Sequence, residues 1–193
     1  MLFGPQRTRS GEVFLLKPVE PAHVPALFAL AKTNQERLGL WLPWIDATKS
    51  EADTAAFVEA AMKQNAERRG FHSGIWLEGA LAGAVGMHPV DWEHRSISLG
   101  YWIGEEFEGR GLIRAAVARI VHHCFLDLKL ERVEIRAGAE NARSRAVAER
   151  LGFQLEGVLR HAQLVRGRFL DMAIYSLLAS EFAARQDKSS SAP

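Results

Sequence analysis

The chain has 193 residues, 48% of them hydrophobic and 24% charged, which suits one globular domain with a sizeable core. Its 24 Lys and Arg nearly balance 23 Asp and Glu, and the resulting net charge of +1 gives no global pull toward nucleic acid or membrane. The single Cys124 excludes an internal disulfide and fits a reducing cytoplasm, no apolar run reaches the ~20 residues of a spanning helix, and Pro5 and its polar neighbours interrupt the start where a signal peptide needs apolar residues.

In chain order, residues 12–19 (EVFLLKPV) predict a first strand stopped by Pro18, and 20–42 predict one or two short helices. Ser50, with Asp53 three residues on, caps an alanine-rich helix that runs toward Arg69. Residues 71–90 predict a hairpin turning at Glu78-Gly79, and 96–104 (SISLGYWIG) a further strand. A helix over 112–128 follows from the apolar stripe Ile113, Val117, Ile120, Cys124 and Leu128. In the strand 132–138, Val133 and Ile135 share one face and Arg132, Glu134 and Arg136 the other. A short helix has Asn141 as N-cap and Gly152 as its stop. Two closing strands meet at Arg166-Gly167. This order implies an α/β fold, a mixed sheet covered by helices, as a single domain over 1–185 with a frayed tail at 186–193.

The turn EGRGLI (108–113) joins a strand to a helix. Neither Lys nor a hydroxyl residue follows it as a Walker loop requires, and Arg114 stands where a dinucleotide fingerprint needs its third glycine. What remains is a general anion site. Gly109 and Gly111 can turn successive N–H groups toward one point, the next helix adds its N-terminal N–H groups and dipole, and Arg110 and Arg114 add charge suited to a pyrophosphate. A plain tight turn is the alternative reading. No metal site is expected: His122 and His123 are adjacent, and no H-E-x-x-H or Cys/His spacing occurs. Cys124 lies on the apolar stripe and reads as packing.

Three stretches, GYWIGEEFEGRGLIRAAV, RVEIRAGAENARSRAVAERLGFQLEGVLR and GRFLDMAIYSLL, resemble the GCN5-related N-acetyltransferase (GNAT) superfamily, in particular its RimJ/RimL-like group that acetylates ribosomal proteins. The resemblance implies the GNAT fold, a mixed and mostly antiparallel sheet of about seven strands whose central strands splay around acetyl-CoA. It places the CoA pyrophosphate at Glu108, Gly109, Arg110, Gly111, Leu112, Ile113 and Arg114. Glu108 and Ile113 depart from the usual Gln/Arg-x-x-Gly-x-Gly/Ala pattern. Pantetheine would pair with the backbone at Trp102 and Ile103 and contact Asn141. Many relatives carry Tyr seven residues after that Asn; here Ala148 stands there, and Ser144 becomes the candidate donor to the leaving thiolate, or else only satisfies its helix's first turn.

The usual acidic positions are Ser98 and Gln163, which face the acceptor by analogy but supply no carboxylate; His72, His88, His161, Glu156 or a water remain as bases. In GLWLPWID, Trp44 and Asp46, with Trp41, are candidates to hold an ammonium, against a simple core role. The implied activity is acetyl-CoA-dependent transfer to a protein or peptide α-amino group, with a small amine acceptor or a silent acyl-CoA-binding module as rivals. A cytoplasmic location is implied, with no membrane or nucleic-acid partner. Family members are often dimers, so a homodimer is one expectation, though no exposed stripe demands it.

Overall fold

Alternation in β2 (Val13–Pro18) buries Phe14 and Leu16 on one side, each 1% exposed, and leaves Val13 and Leu15 outward. The structure, a computed structural model, describes the backbone of residues 3–190 and the side chains of residues 3–186. After β2 come α1 (Val24–Thr33), the single turn α2 (Gln35–Leu38) and α3 (Glu51–Ala66). The capping box forms at α3: the Asp53 carboxylate accepts from the Ser50 backbone N–H at 2.8 Å.

β3 (His72–Leu77) and β4 (Ala80–Met87) join through Glu78 and Gly79, with φ of 51° and 85°, the pair of left-handed residues that a two-residue hairpin requires. The same device, Arg166 at 48° and Gly167 at 75°, joins β7 (Gln154–Val165) to β8 (Arg168–Leu178). Between the hairpins lie β5 (Ser96–Ile103), α4 (Leu112–Leu126), β6 (Arg132–Gly138) and α5 (Ala142–Leu151).

The strands form one sheet in the order β1-β2-β3-β4-β5-β6-β8-β7, where β1 is Gln6–Arg7. This is one strand more than the sequence suggests, because two residues are too few to show alternation. Among the described residues only β5 and β6 pair in parallel, and every other neighbouring pair of strands is antiparallel. α4 covers one face, and its stripe Ile113, Val117, Ile120 and Cys124 is buried against Val133 and Ile135 of the sheet. Leu128 falls beyond the end of α4 and packs on the same core. α1 and α3 cover part of the other face through Val24, Leu27, Leu30, Val58 and Ala61.

A last helix, α6 (Ala179–Ser190), was not predicted, since no apolar stripe announces it. It docks through Phe182, whose ring lies 5.0 Å from that of Phe125, and through Arg185, which donates to the Leu151 and Gly152 carbonyls at 2.9 and 2.6 Å. It runs into the expected tail 186–193, of which the side chains from 187 and all of 191–193 lie outside the described residues.

Ile120 is fully buried at the centre of the α4 contact. Ile120→Ala is expected to lower unfolding free energy by about 2–5 kcal/mol in a urea titration, and a loss below about 1 kcal/mol would contradict the packing of α4 on the sheet.

Candidate active site

The parallel ladder between β5 and β6 covers only Ser96–Leu99 opposite Arg132–Ile135. Beyond it each strand keeps its outer partner, β4 for Gly83 to Met87 opposite Ile103 to Leu99, and β8 for Arg136–Gly138, while the inner edges part. The register with β4 turns the backbone groups of Gly100 and Trp102 toward that strand, so on the inner edge Tyr101 and Ile103 carry the groups that can pair with an amide-bearing ligand as a strand would. A cleft of about 1930 Å³ opens there, walled by β5, β6, α1, the 37–48 segment and the first turns of α4 and α5.

The turn after β5 builds one end. Gly109 and Gly111 both have φ of 77°, a conformation that a side chain strains, and Gly111 caps α4. The helical ladder begins with the Ala115 N–H donating to Gly111 O at 3.0 Å, so the N–H groups of Leu112, Ile113 and Arg114 have no acceptor within the helix. These groups and the helix dipole favour an anion. Leu112 and Ile113 send buried side chains into the core, so only their backbone serves the cleft, whereas Arg114 lines it. Arg110 does not: its Nε donates to Glu12 at 2.7 Å, on the strand side of the loop. The expected cationic role of Arg110 is therefore occupied by an ion pair.

Glu108 also has partners that its position alone could not reveal. Its carboxylate accepts from Arg37 Nη1 at 2.6 Å and from Arg143, joining α2 to α5 across the cleft mouth. Arg37 donates as well to the carbonyl of Ile103 and to Asn34 Oδ1, and Asn34 Oδ1 accepts the Glu105 N–H at 2.8 Å. Asn34 and Arg37 thus fix the end of β5 and the start of the glycine turn, a role that the sequence pattern did not signal.

Asn141 caps α5 by accepting the Ser144 N–H at 3.1 Å. Ser144 Oγ donates to Tyr101 Oη at 3.2 Å, and Tyr101 Oη donates to the Ser144 carbonyl at 3.0 Å. Burial pushes the Tyr101 phenol up to about 12, with the Ser144 bond opposing it, so Tyr101 stays protonated. Strand alternation turns Tyr101 toward α5 and Trp102 to the other face; that Tyr101 meets Ser144 depends on the packing of α5, which no local signal records. Ala148 is fully buried on the core-facing side of α5.

On the far wall, Trp44 lies 6.0 Å from Trp102, ring to ring, and both line the cleft with Trp41 and Ser98. Trp41 packs against Gly138, where a Cβ would stand 2.8 Å from its ring. Gln163 lines the cleft and donates to the Trp41 carbonyl at 3.1 Å. Asp46 is placed elsewhere: Arg166 grips its carboxylate at 2.7 and 2.8 Å and, with Gln35, lowers its pKa to about 2, so it is already paired and does not line the cleft. Of the suggested bases, Glu156 is held by Arg132 at 2.6 and 2.5 Å, with a pKa lowered to about 2, and His161 stacks on Phe169; both stand outside the cleft, whereas His72 and His88 line it. Burial pushes the Cys124 thiol up to about 12, which suits packing and not nucleophilic attack. Among the described residues no cluster of His, Cys, Asp or Glu could hold a metal ion, and no helix is long and apolar enough to cross a membrane.

Comparison with known proteins agrees with this geometry. The Acetyltransferase (GNAT) domain family matches residues 14–154. YdaF of Bacillus subtilis (strain 168), provisionally named a ribosomal N-acetyltransferase, is 38% identical over 173 residues, covering 89% of this chain and 94% of the relative. The ribosomal-protein-serine acetyltransferase of Escherichia coli (strain K12) is 29% identical over 163 residues, 83% of this chain and 90% of the relative. Among solved structures, the microcin C7 self-immunity acetyltransferase MccE in complex with acetyl-CoA and AMP superposes with a TM-score of 0.82 at 26% identity, covering 91% of this chain and 97% of the other. The parted strands, the glycine turn and these matches lead to one conclusion: the chain belongs to the GNAT family and is an acetyl-CoA-dependent acetyltransferase.

Proposed function

We propose that the acceptor is the N-terminal α-amino group of a protein or peptide, acetylated directly and in the cytoplasm. The observation that carries this reading is the state of the acids in the cleft. Three carboxylates line it, and all are engaged: Asp53 with the backbone at Ser50, Glu108 with Arg37 and Arg143, and Glu140 with Arg168 at 3.8 Å. Without a dedicated carboxylate base, an amine that is already partly neutral is favoured. An α-amino group of pKa ≈ 7.7–8.0 is roughly one-tenth neutral at pH 7, while a lysine near 10.4 is neutral in under about one part in a thousand. The names of the two bacterial relatives, both ribosomal acetyltransferases, support the same class of acceptor.

In this reading the backbone at Tyr101 and the N–H of Ile103 orient the pantetheine arm, because the Trp102 backbone faces β4 and the Ile103 carbonyl already accepts from Arg37. Gly109, Gly111 and the N–H groups of residues 112–114 hold the pyrophosphate. Ser144, whose hydroxyl proton goes to Tyr101 without ligand, turns that proton to the leaving sulfur, and the N-terminus of α5 favours the thiolate. Trp41 and Trp44 line the approach of the peptide, with Ser98 and Gln163 as its polar walls.

Acetyl-CoA at ~100 times its Kd should stabilise the protein by about 2.7 kcal/mol, roughly 5–10 °C in a thermal scan, with no such shift from ATP or NAD. Gly109→Val should weaken acetyl-CoA about tenfold or more by straining the left-handed turn, since a Cβ there meets open space and leaves the core intact; an unchanged affinity would remove the anion role of the turn. With serine- or alanine-initiated peptides set against spermidine and free amino acids, the peptides should show the highest kcat/KM. Ser144→Ala should lower kcat about 10²-fold while the acetyl-CoA affinity stays. Preference for spermidine, or an undiminished kcat in Ser144→Ala, would contradict the acceptor and the donor assignments respectively.

A further inference from the structure

Four neighbouring strands align their residues at the point where the sheet parts. His72 of β3 pairs with Gly86 of β4, Gly86 pairs with Gly100 of β5, and Arg136 of β6 stands one residue beyond the last β5–β6 pair. The two glycines leave a gap on that face, and two imidazoles fill it. A Cβ on Gly86 would lie 2.1 Å from His72 Nδ1, and one on Gly100 would lie 3.2 Å from His88 Nε2. The backbone of His88 is fixed to the same strand, its N–H donating to Ser98 O at 3.0 Å.

Both rings line the cleft, and neither has a hydrogen-bond partner among the described residues. An imidazole lining a cleft with no protein partner has its nitrogens available to whatever enters. The two rings are not equivalent. His72 lies deeper, with Phe57 edge-on at 5.2 Å, and burial followed by the His88 charge lowers its pKa to about 4, so it stays neutral and is a weak base. His88 is the exposed one, next to the Gly100 backbone.

We propose that His88 is the general base of the acetyl transfer, its imidazole taking the proton from the acceptor ammonium at the parting of β5 and β6. The carboxylates of the cleft are engaged elsewhere, which leaves this ring as the group placed for the task. The neutral imidazole takes one proton from R–NH3⁺. The lone pair so freed forms the C–N bond at the thioester carbon, and the carbonyl electrons move to oxygen and return as the C–S bond breaks. The departing sulfur takes a proton from Ser144, which the second proton leaving nitrogen replaces. The imidazolium then gives its proton to solvent, so the products are the amide, the CoA thiol and one H⁺. This assignment depends on the α-amine reading only for the choice of acceptor.

The charged and titratable groups facing this part of the cleft are His72 from β3, Asp53 from α3 and Arg136 from β6, the last held by Glu134 at 2.6 Å, while Tyr101 of β5 points to the other face, toward α5. Partial burial, and then the Arg136 charge, lower the pKa of His88 below the ordinary 6.5. The base form is therefore present at neutral pH and is lost only as pH falls below that value.

The test is kcat/KM against pH for the wild-type protein and for His88→Gln, with a serine-initiated peptide and with spermidine. Wild type should show an acid limb below 6.5, and Arg136→Gln should move that limb to higher pH. His88→Gln should lose about 10²-fold or more in kcat/KM. Its remaining rate should follow the free-amine fraction of the acceptor, with acetyl-CoA still giving its thermal shift. A His88→Gln protein that keeps wild-type kcat/KM, or keeps the wild-type acid limb, overturns the assignment. If spermidine is acetylated and the peptide is not, the acceptor reading fails and His88 is judged on spermidine by the same criteria. If neither is acetylated by wild type, both fall.

Discussion

The structure depends on a ladder that stops after four residue pairs. β5 and β6 share backbone hydrogen bonds from Ser96 to Leu99 and then part, and the side chains around the parting keep it open. Tyr101 ties β5 to α5 through Ser144, Arg37 reaches from α2 to the Ile103 carbonyl, and Trp41 closes over Gly138 at the end of β6. Each contact uses a group from outside the sheet to hold one strand end away from the other. The inner edge is thereby left for an extended ligand, whose amides can make the hydrogen bonds that β6 does not.

Electrostatics divides the cleft into two ends. At the glycine turn, backbone N–H groups, the α4 dipole and Arg114 favour phosphate, while the Glu108 carboxylate sets the positions of Arg37 and Arg143 without leaving an unpaired negative charge. At the other end Ser98, Gln163, two imidazoles and the tryptophans carry no fixed charge, and the charged Asp53 and Arg136 are held by the Ser50 backbone and by Glu134. Such a site suits an amine that deprotonates without much help. The thioester would lie between the ends, with Tyr101 and Ser144 on one side of the sheet and His88 on the other.

Local signals made most of the fold readable. Ser50 with Asp53, the turns Glu78-Gly79 and Arg166-Gly167, the α4 stripe and the Asn141 cap each rest on neighbours within a few residues. β1 was too short to register, and α6 too polar, its docking resting on Phe182, Arg185 and Glu181, whose partners lie far back along the chain. In the site, the glycine turn was readable for the same local reason. What could not be read were partners far along the chain. Glu12 removes Arg110 from the cleft, Arg166 takes Asp46, and Arg37 takes Glu108. His72 and His88 were visible singly, but their meeting over Gly86 and Gly100 depends on the register of three strands, which periodicity does not give.

The measurement that bears most directly on this account is amide hydrogen exchange with and without acetyl-CoA. If the gap between β5 and β6 is the acetyl-CoA site, the ligand should slow exchange at Gly100–Ile103 and across 109–114, and leave the β2–β3 ladder unchanged. Protection that is absent from both segments, or that appears elsewhere on the protein, would contradict the claim that the parted strands exist to hold the cofactor.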